Sequence, residues 1–541
     1  RDLCSQALSK LNEHSLTELL PELSDSHLKH QLAYSLIDAI RLLHQPPPSV
    51  AMNLLAQGEH PAQQRLAAEE LIAHHLSLLR LRQRIQQQTA PVLERDTRAH
   101  DLFLNQLQFT LTGAQQRVLE EISNDMSCAV PMLRLVQGDV GSGKTVVAAM
   151  ASVQAIAKGK QVALMAPTEI LAEQHRSSFE QWFKCMDIRI AWLTGKVKGK
   201  AREVQLNMIA DGTAKMVIGT HALFQESVEF DDLGLSIIDE QHRFGVHQRL
   251  ALRRKGFRPN INMTTQNSAP HQLIMSATPI PRTLAMSVYA DLDCSTIDEL
   301  PPGRKPIETL VLSDSRRGDV IERVKVSCTG GRQAYWVCTL IEESEVLEAQ
   351  AAEATASELK MLLPELSVGL IHGRLKPREK SEVMGKFKDG DIDLLVATTV
   401  IEVGVDVANA SLMIIENSER LGLSQLHQLR GRIGRGSKAS HCVLLYSPPL
   451  SNNANERLKT MRETNDGFKI AEKDLELRGP GEVLGTRQTG EMQFHIADLQ
   501  RDGHMIPSIK NIAEKLLINH PKHVDRLIRR WLGNSDQYSQ A

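Results

Sequence analysis

The sequence predicts an α/β protein with two doubly wound parallel sheets in tandem, and three observations indicate this fold class. First, short apolar runs recur from residue 109 onward and alternate with helical stretches, as buried parallel strands and their crossover helices do. Second, one run enters a glycine-rich loop that continues into a helical stretch, which is the arrangement of a phosphate-binding loop. Third, a Pro-Pro-Gly stretch at 301–303 separates the runs into two sets. We therefore expect two α/β domains joined by a linker.

The predicted strands are continuous apolar runs, as expected when both faces of a sheet are covered. In the first set they are 132–136, 162–165, 216–218, 235–238 and 273–275. In the second set they are 334–338, 368–371, 394–397, 412–415 and 443–446. The polar stretch 255–271 interrupts the first set and predicts a surface loop.

Four segments are predicted along the chain: 1–108, 109–300, 301–449 and 450–541. The first has helical apolar periodicity and no strand-like run, so it is predicted to be a helical region. The second and third are the two α/β domains. The last is charged and mostly helical, with a Gly-rich stretch at 478–490 that predicts a turned loop.

Composition limits the class of protein. The 541 residues are 42% hydrophobic with a net charge of −2, so a surface that binds nucleic acid has to be local. Seven cysteines occur without any C-x-x-C pair, which argues against a zinc module or a disulfide framework and favours a reducing compartment. No apolar run approaches the ~20 residues that cross a bilayer, so no membrane partner is expected.

The glycine-rich stretch 138–145 fits the phosphate-binding pattern G-x-x-x-x-G-K-[ST] at every position. Glycines allow successive backbone N–H groups to face one anion, and the following helix adds the partial positive charge of its N-terminus. Lys144 is expected to reach the β- and γ-phosphates, and the Thr145 hydroxyl is expected to ligate Mg²⁺. The predicted ATP-binding residues here are Gly138, Asp139, Val140, Gly141, Ser142, Gly143, Lys144 and Thr145.

An acidic pair follows the apolar run 235–238. Asp239 is predicted to hold Mg²⁺ through water, and Glu240 is predicted to polarise the attacking water. Such a pair is common by chance at a strand end, but its position after a phosphate-binding loop predicts ATP hydrolysis. The expected cofactors are ATP and Mg²⁺.

Further blocks resemble the motifs of superfamily 2 helicases. Residues 109–115 resemble the glutamine motif that reads adenine, with Phe109 at its start and Gln115 expected to pair bidentately with the base. Ser276, Ala277 and Thr278 resemble the motif that couples hydrolysis to domain movement, in which Ser276 and Thr278 are the coupling residues.

Residues 428–435 resemble the QxxGRxGR motif of the same helicases. The resemblance implies that Arg432 and Arg435 act as arginine fingers from the second domain and that Gln428 joins them in catalysis. A finger works only when two domains close around the nucleotide, and it can raise the rate by ~10³–10⁵. The predicted catalytic residues are therefore Lys144, Asp239, Glu240, Gln428, Arg432 and Arg435.

Several blocks at predicted strand ends resemble the nucleic-acid-facing motifs of helicases. The helix start near Thr168 would suit a phosphodiester. The predicted DNA-binding residues are Thr168, Thr194, Gly195, Thr220, His221 and Thr399. In the block 398–406, Gly404 and Asp406 are predicted to contact ATP. Phosphate contacts carry no sequence information, so movement without base preference is expected.

Blocks 239–246, 275–283, 300–304 and 472–490 together resemble the RecG family of ATP-dependent DNA helicases, and the resemblance extends over essentially the whole chain. It implies two tandem RecA-like P-loop NTPase domains, a helical N-terminal region and a C-terminal helical hairpin/loop segment. The stretch 472–490 corresponds to the family's translocation motif. The implied coupling residues are His242, Arg478, Arg487 and Gln488.

The family resemblance also implies partners and a location. The implied partners are branched or forked duplex DNA and, as a further candidate, a single-stranded DNA-binding protein. The implied oligomeric state is a monomer, and the implied location is the bacterial cytoplasm in association with the nucleoid. Proteins of this family carry a wedge domain, an OB-fold barrel that splits strands at a fork. Residues 1–108 show no short alternating strands of such a barrel. We therefore expect the chain to begin after the wedge, which leaves fork recognition by this chain open.

Three alternatives compete with a fork-remodelling helicase. A transcription–repair coupling translocase would need room before residue 109 for a polymerase-binding module. An RNA helicase is disfavoured by Asp-Glu-Gln-His at 239–242 together with the 478–490 loop. A non-catalytic, nucleotide-gated interaction module would need an incomplete ATP site, whereas the lysine, the acidic pair and both arginines are present.

Overall fold

A computed structural model describes residues 2–12, 16–20, 33–240, 268–276, 292–301, 304–339, 345–399, 407, 409–434, 436, 439–478 and 494–533. The described chain forms two compact units. The helical unit is built mainly from residues 1–87 and 478–541, and the sheet unit from residues 88–280 and 293–477. The sheet unit contains both sheets.

The first sheet consists of seven parallel strands. In chain order these are β1 (Leu133–Gly138), β2 (Gln161–Met165), β3 (Ile190–Leu193), β4 (Met216–Gly219), β5 (Leu233–Asp239), β6 (His271–Ser276) and β7 (Asp293–Ile297). Their order across the sheet is β3-β4-β2-β5-β6-β1-β7. Successive residues of β2 enter different hydrophobic clusters, Leu164 one and Ala163 the other, because both faces are covered. The covering helices include α5 (Thr97–Leu104), α6 (Gly113–Met126), α7 (Lys144–Ala157), α8 (Glu169–Phe183) and α9 (Gly199–Ala210).

The second sheet has six parallel strands in the order β10-β11-β9-β12-β13-β8. In chain order they are β8 (Glu308–Ser313), β9 (Gln333–Val337), β10 (Val368–Ile371), β11 (Leu394–Ala397), β12 (Ala410–Ile415) and β13 (His441–Tyr446). The associated helices are α10 (Arg317–Thr329), α11 (Glu345–Leu362), α12 (Pro377–Asp389), α13 (Leu423–Arg430), α14 (Asn452–Glu463) and α15 (Gly467–Arg478). Successive residues of β9, Tyr335 and Trp336, enter different clusters, so this sheet too is covered on both faces.

The predicted fold class, two parallel α/β sheets in tandem, is confirmed, and each apolar run named above lies on a strand. The boundaries of the sheet unit differ from the predicted domain boundaries. Leu93 and Phe103, upstream of residue 109, are fully buried in the core of the first sheet. Downstream of residue 449, Met461 and Ile470 are buried in the core of the second sheet. The sheet unit therefore extends from residue 88 to residue 477, with one interruption.

The helical unit is organised around one long helix. Its helices are α1 (Asp2–Ser9), α2 (Leu36–His44), α3 (Met52–Gln57), α4 (Pro61–Gln86), α16 (Leu499–Asp502), α17 (Ile506–Asn519) and α18 (Pro521–Leu532). Helix α4 packs against α2, α17 and α18. Short 3₁₀ helices occur at His221–Phe224, Asp314–Arg316, Ser418–Arg420 and Gly503–Met505. Among the described residues, no helix combines the length and the apolarity that crossing a membrane requires.

Two neighbouring glutamates of α4 are completely buried. Glu69 pairs with Arg65 at 2.8 Å and with Arg530 at 2.6 Å. Glu70 accepts backbone hydrogen bonds from His495, from Ile496 at 2.9 Å and from Ala497 at 2.8 Å. Glu70 thus fixes the backbone directly downstream of the predicted translocation motif.

We expect Glu70→Ala to lower the free energy of unfolding by about 2–3 kcal/mol, because it removes the acceptor of three partly buried N–H groups. Unfolding in urea followed by circular dichroism measures the change. Glu203→Ala is the matched control, since Glu203 is an exposed glutamate of α9. Equal stability of the two variants would show that Glu70 does not anchor this backbone.

Candidate functional site

The carboxyl edge of the first sheet brings the predicted ATP residues together. The loop 138–145 follows β1, Asp239 ends β5, and Ser276 ends β6, which lies between those two strands. Ser276 is paired in register with Gln137, and Asp239 with Met275. Ligands bind in α/β sheets at this edge, so one site collects the phosphate-binding loop, the acidic pair and the first coupling residue.

The backbone of the phosphate-binding loop has the conformation that its glycines allow. Gly141 and Gly143 have φ of 80° and 88°, in the left-handed region. Gly143 directly precedes α7, so the loop opens onto the N-terminus of a helix. The Lys144 ammonium, which is 9% exposed, donates to the carbonyl oxygens of Gly138 at 2.6 Å and Asp139 at 2.9 Å. The Ser142 hydroxyl is buried and has no hydrogen-bond partner among the described residues, so it suits a phosphate oxygen.

The residues predicted to hold Mg²⁺ supply oxygen ligands of the kind that this ion prefers. Thr145 is half-buried in the first turn of α7, and Asp239 is 7% exposed at the end of β5. The Asp239 carboxylate lies 2.7 Å from Nε2 of His175, a buried residue of α8. His175 therefore orients the predicted metal-binding carboxylate. Sequence reasoning assigned no role to His175, because a contact over this sequence separation has no local signal.

Glu240 lies directly after β5 with φ of 53°, a left-handed conformation that a glutamate seldom adopts. Its N–H donates to the Asp239 carboxylate at 3.0 Å. Such a conformation costs about 1–3 kcal/mol and persists only where its surroundings hold it. The two acids are thereby kept side by side at the sheet edge.

The Gln115 amide is hydrogen-bonded within the protein in the structure described. It is 2% exposed, its Oε1 accepts from the Thr112 N–H at 2.9 Å, and its Nε2 donates to the Ser142 carbonyl at 2.8 Å. The amide thus caps α6 and supports the phosphate-binding loop, and its pairing with adenine stays a prediction. Phe109 is 47% exposed and lines a cavity of about 410 Å³ together with Gln116 and Met150.

The phosphate-binding loop also touches the second sheet domain, which lies in the same compact unit. Asp139 bonds His427 of α13 at 3.1 Å and the N–H of Gly467 at 3.3 Å. A Cβ on Gly431 would lie 2.7 Å from Cβ of Val140, so the Gly431 backbone packs closely against the Val140 side chain. The side chains of Asp139 and Val140 thus face the second domain, although both residues were predicted to bind ATP. Only their backbone atoms remain suited to a phosphate.

A linker residue makes a further contact with the loop. Arg304 donates from Nη1 to the Val140 carbonyl and from Nη2 to the Gly431 carbonyl at 3.5 Å. Burial lowers the pKa of the Arg304 guanidinium, and the negative charge of Asp139 partly offsets this lowering. In the sequence, Arg304 belongs to the stretch 300–304 that resembles the RecG family, but no individual role was predicted for it.

The arginine-bearing motif of the second domain lies at this contact. Gly431 lies directly beside the phosphate-binding loop, and Arg432 follows it in the turn after α13. Gln428 is buried on α13. The structure thus brings Gly431, which lies between Gln428 and Arg432 in the motif, against the loop, while the catalytic roles of Gln428 and Arg432 stay predictions.

The predicted DNA-binding residues lie on the other half of the same sheet edge. Those of the first domain follow β2, β3 and β4, which are neighbours. The Thr168 hydroxyl caps α8 by accepting from Leu171 N–H at 3.3 Å, while Gly195 and His221 are exposed. Thr194 and Thr220 are 1% and 2% exposed, so their side chains are more buried than a direct phosphate contact requires.

Thr220 nevertheless has an unusual hydroxyl. Its Oγ1 is buried and has no hydrogen-bond partner among the described residues. Thr399 follows β11 of the second sheet and is half-buried. In the first sheet, the predicted nucleotide residues and the predicted DNA residues therefore divide one edge between them.

Some predicted residues lie outside the described part of the chain: His242, Thr278, Gly404, Asp406, Arg435, Arg487 and Gln488. Arg478 is the last residue of α15. The predicted roles of these residues stay predictions.

Three protein-family models match the chain. They are a DEAD/DEAH box helicase over residues 112–287, a helicase conserved C-terminal domain over 320–437, and the C-terminal part of domain 3 of ATP-dependent DNA helicase RecG over 464–528. The first of these matches contains β1 to β6 of the first sheet, and the second contains β9 to β12 of the second sheet.

Curated relatives match over the full length of the chain. ATP-dependent DNA helicase RecG of Haemophilus influenzae is 58% identical over 542 residues, which is 100% of this chain and 76% of that protein. ATP-dependent DNA helicase RecG of Escherichia coli K12 is 59% identical, with the same two shares. Among solved structures, RecG bound to a three-way DNA junction is 37% identical with a TM-score of 0.70, and the match covers 94% of this chain and 64% of that one.

Proposed function

The chain belongs to the RecG family of ATP-dependent DNA helicases, and we propose that it is a motor that moves on duplex DNA and remodels branched DNA. Regression of stalled replication forks and branch migration of Holliday junctions are the reactions proposed. The solved relative on a three-way DNA junction supports branched DNA as the substrate. ATP and Mg²⁺ are the proposed cofactors.

One observation carries the proposal: the phosphate-binding loop of the first sheet is in contact with the arginine-bearing turn of the second. Gly431 lies against Val140, and Arg432 comes next in the chain. A nucleotide on the loop would therefore be reached from both domains. Hydrolysis at such a site is linked to the relative position of the two domains, which is what a motor requires.

The chain's own groups have separate tasks in hydrolysis. Lys144 would exchange its carbonyl partners for phosphate oxygens, and Glu240 would orient the attacking water. Thr145 and Asp239 would hold the metal ion, which neutralises charge on the phosphates when bound. Arg432, with Arg435 as its predicted partner, would stabilise charge on the transferred phosphoryl group.

The neighbouring half of the sheet edge is the proposed track for DNA. Exposed Gly195 and His221, with the helix start after Thr168, offer backbone N–H groups and polar side chains to a phosphate backbone. Lys198 and Lys200 add exposed positive charge nearby. Because these contacts would be to phosphate, movement would not depend on base sequence.

An ATPase assay with different nucleic acids tests the proposal. In a form of the protein that carries the family's wedge domain, we expect forked DNA and four-way junctions to stimulate ATP hydrolysis about tenfold more than linear duplex, an extra barrier reduction of about 1.4 kcal/mol. Single-stranded RNA is the comparison that excludes an RNA helicase. If no DNA raised turnover, the proposed function would be contradicted.

Location and assembly are further parts of the proposal. The curated relatives are bacterial proteins, and we propose action at nucleoid DNA in the bacterial cytoplasm. We also propose that the protein works as a monomer and that a single-stranded DNA-binding protein is a partner at forks. Size-exclusion chromatography with light scattering tests the monomeric state, and co-sedimentation tests the binding of the single-stranded DNA-binding protein.

A further inference from the structure

We propose that Asp139 is a positioning residue that transmits the state of the phosphate-binding loop to helix α15. This helix ends directly before the Gly-rich segment that is predicted to act on duplex DNA. The proposal rests on the proposed function only where it assigns that segment to DNA. The connection between Asp139 and α15 stands on contacts in the structure.

Both carboxylate oxygens of Asp139 are used by the second domain. Oδ1 lies 3.1 Å from Nε2 of His427, and Oδ2 accepts from the N–H of Gly467 at 3.3 Å. A side chain at Gly467 would overlap the carboxylate, so glycine permits this approach. A carboxylate here would also repel a triphosphate. Asp139 is therefore a bridge between domains, although it belongs to the nucleotide motif.

The first turn of α15 depends on two aspartates. The N–H groups of Phe468 and Lys469 donate to the Asp466 carboxylate, at 2.9 and 3.4 Å. The remaining early donor, Gly467 N–H, is bound by Asp139. One of the backbone groups that the start of a helix leaves unsatisfied is thus paired by the phosphate-binding loop.

A second connection runs through His427 to the turn that precedes α15. Arg430 donates from Nη2 to Nδ1 of His427 at 3.1 Å, and arginine cannot accept, so Nδ1 is the acceptor. The proton of a neutral imidazole then lies on Nε2, which donates to Asp139. Arg430 also donates to the carbonyl oxygens of Met461 at 2.7 Å and Thr464 at 3.0 Å.

The charge of Asp139 is compatible with this role. Burial alone would raise the pKa of Asp139, but the hydrogen bonds from His427 and Gly467 and the Lys144 charge lower it below its ordinary value. The carboxylate is therefore ionised at neutral pH. It provides negative charge near the buried Arg430 guanidinium.

Lys144 connects this bridge to the nucleotide. Its ammonium donates to the backbone carbonyl of Asp139 at 2.9 Å. When the ammonium turns to the phosphates of ATP, the Asp139 peptide loses that bond and the loop can change shape. The hydrogen bonds of the Asp139 carboxylate with His427 and with the first turn of α15 then change as well.

Hydrogen exchange on the 541-residue chain, with and without ADP–beryllium fluoride, tests the proposal without DNA. In the wild type we expect the nucleotide to change the exchange rate of the amides at 467–470 by about tenfold, the effect of one hydrogen bond to a charged group. Asp139→Ala should abolish this nucleotide-dependent change. His427→Ala should reduce it, and His427→Gln, which keeps an N–H donor, should restore part of it.

Two controls separate transmission from simple capping. Asp466→Ala removes the local cap, so exchange in the first turn should speed up while the response to nucleotide persists. Asp232→Ala removes an exposed ion pair with Lys160 elsewhere on the first sheet. It should change neither the exchange rate of the first turn of α15 nor the response of that rate to nucleotide. Binding of a fluorescent ADP analogue is measured in every variant, and exchange is compared at saturation.

The outcomes are decisive in both directions. A normal nucleotide response in Asp139→Ala would overturn the proposal. A loss of nucleotide binding in Asp139→Ala as large as in Lys144→Ala would make Asp139 an ATP ligand and would overturn it as well. Failure of DNA to stimulate the wild-type ATPase would contradict the proposed function and leave this exchange result standing.

Discussion

Lys144→Ala is expected to lower ATP turnover about a thousandfold or more, because removing one preorganised donor to a transition-state oxyanion already costs about 10²–10³. Lys144 is positioned for this effect, since its ammonium is buried at the centre of the loop against two carbonyl oxygens. Phosphate release at saturating Mg–ATP, with and without forked DNA, measures the loss.

Lys158→Ala is the matched control for that experiment. Lys158 follows the last residue of the same helix, α7, and is exposed. Its removal should leave turnover within about twofold of the wild type, because exposed side chains away from special contacts contribute little. Hydrolysis by Lys144→Ala at the rate of this control would exclude the loop as the catalytic phosphate site.

Arg432→Ala is the second variant with a large expected effect, a loss of about 10³–10⁵ in kcat. An arginine finger acts mainly on the transition state, so the Kd for ATP should change much less than kcat. Arg432→Lys should rescue little, because an ammonium cannot reproduce the planar fork of a guanidinium. Single-turnover hydrolysis and ATP binding are measured in parallel.

Arg462→Ala is the control for this series, since Arg462 is an exposed arginine on α14 of the same domain. Wild-type kcat in Arg432→Ala would mean that the second domain gives no finger from this turn. In that case hydrolysis and domain position would be uncoupled at this point, and the motor proposal would lose its main support.

Sequence patterns predicted the central strands because a strand covered on both faces is a continuous apolar run. They did not predict β3, β7 and β8, which lie at the sheet edges and carry exposed or half-buried positions. In β7 the sequence Asp-Cys-Ser-Thr-Ile has no apolar run at all. The edge strand β10 was predicted, because its sequence is a short apolar run like those of the central strands.

The candidate site shows the same division. The loop 138–145 and the acidic pair are local patterns, and the structure places them on one edge. The partners of Gln115, Asp139 and Arg304 could not be predicted, because each contact joins residues that are distant in the chain. A motif specifies a residue type and a backbone shape, but it does not specify which of two neighbouring surfaces a side chain faces.

The position of Arg304 has a consequence for how the two sheets can rotate. The segment that joins them is attached by a guanidinium to Val140 of the nucleotide loop and to Gly431 of the opposite domain. The linker is therefore held beside the predicted nucleotide site, and any separation of the two domains at this loop has to break these two hydrogen bonds.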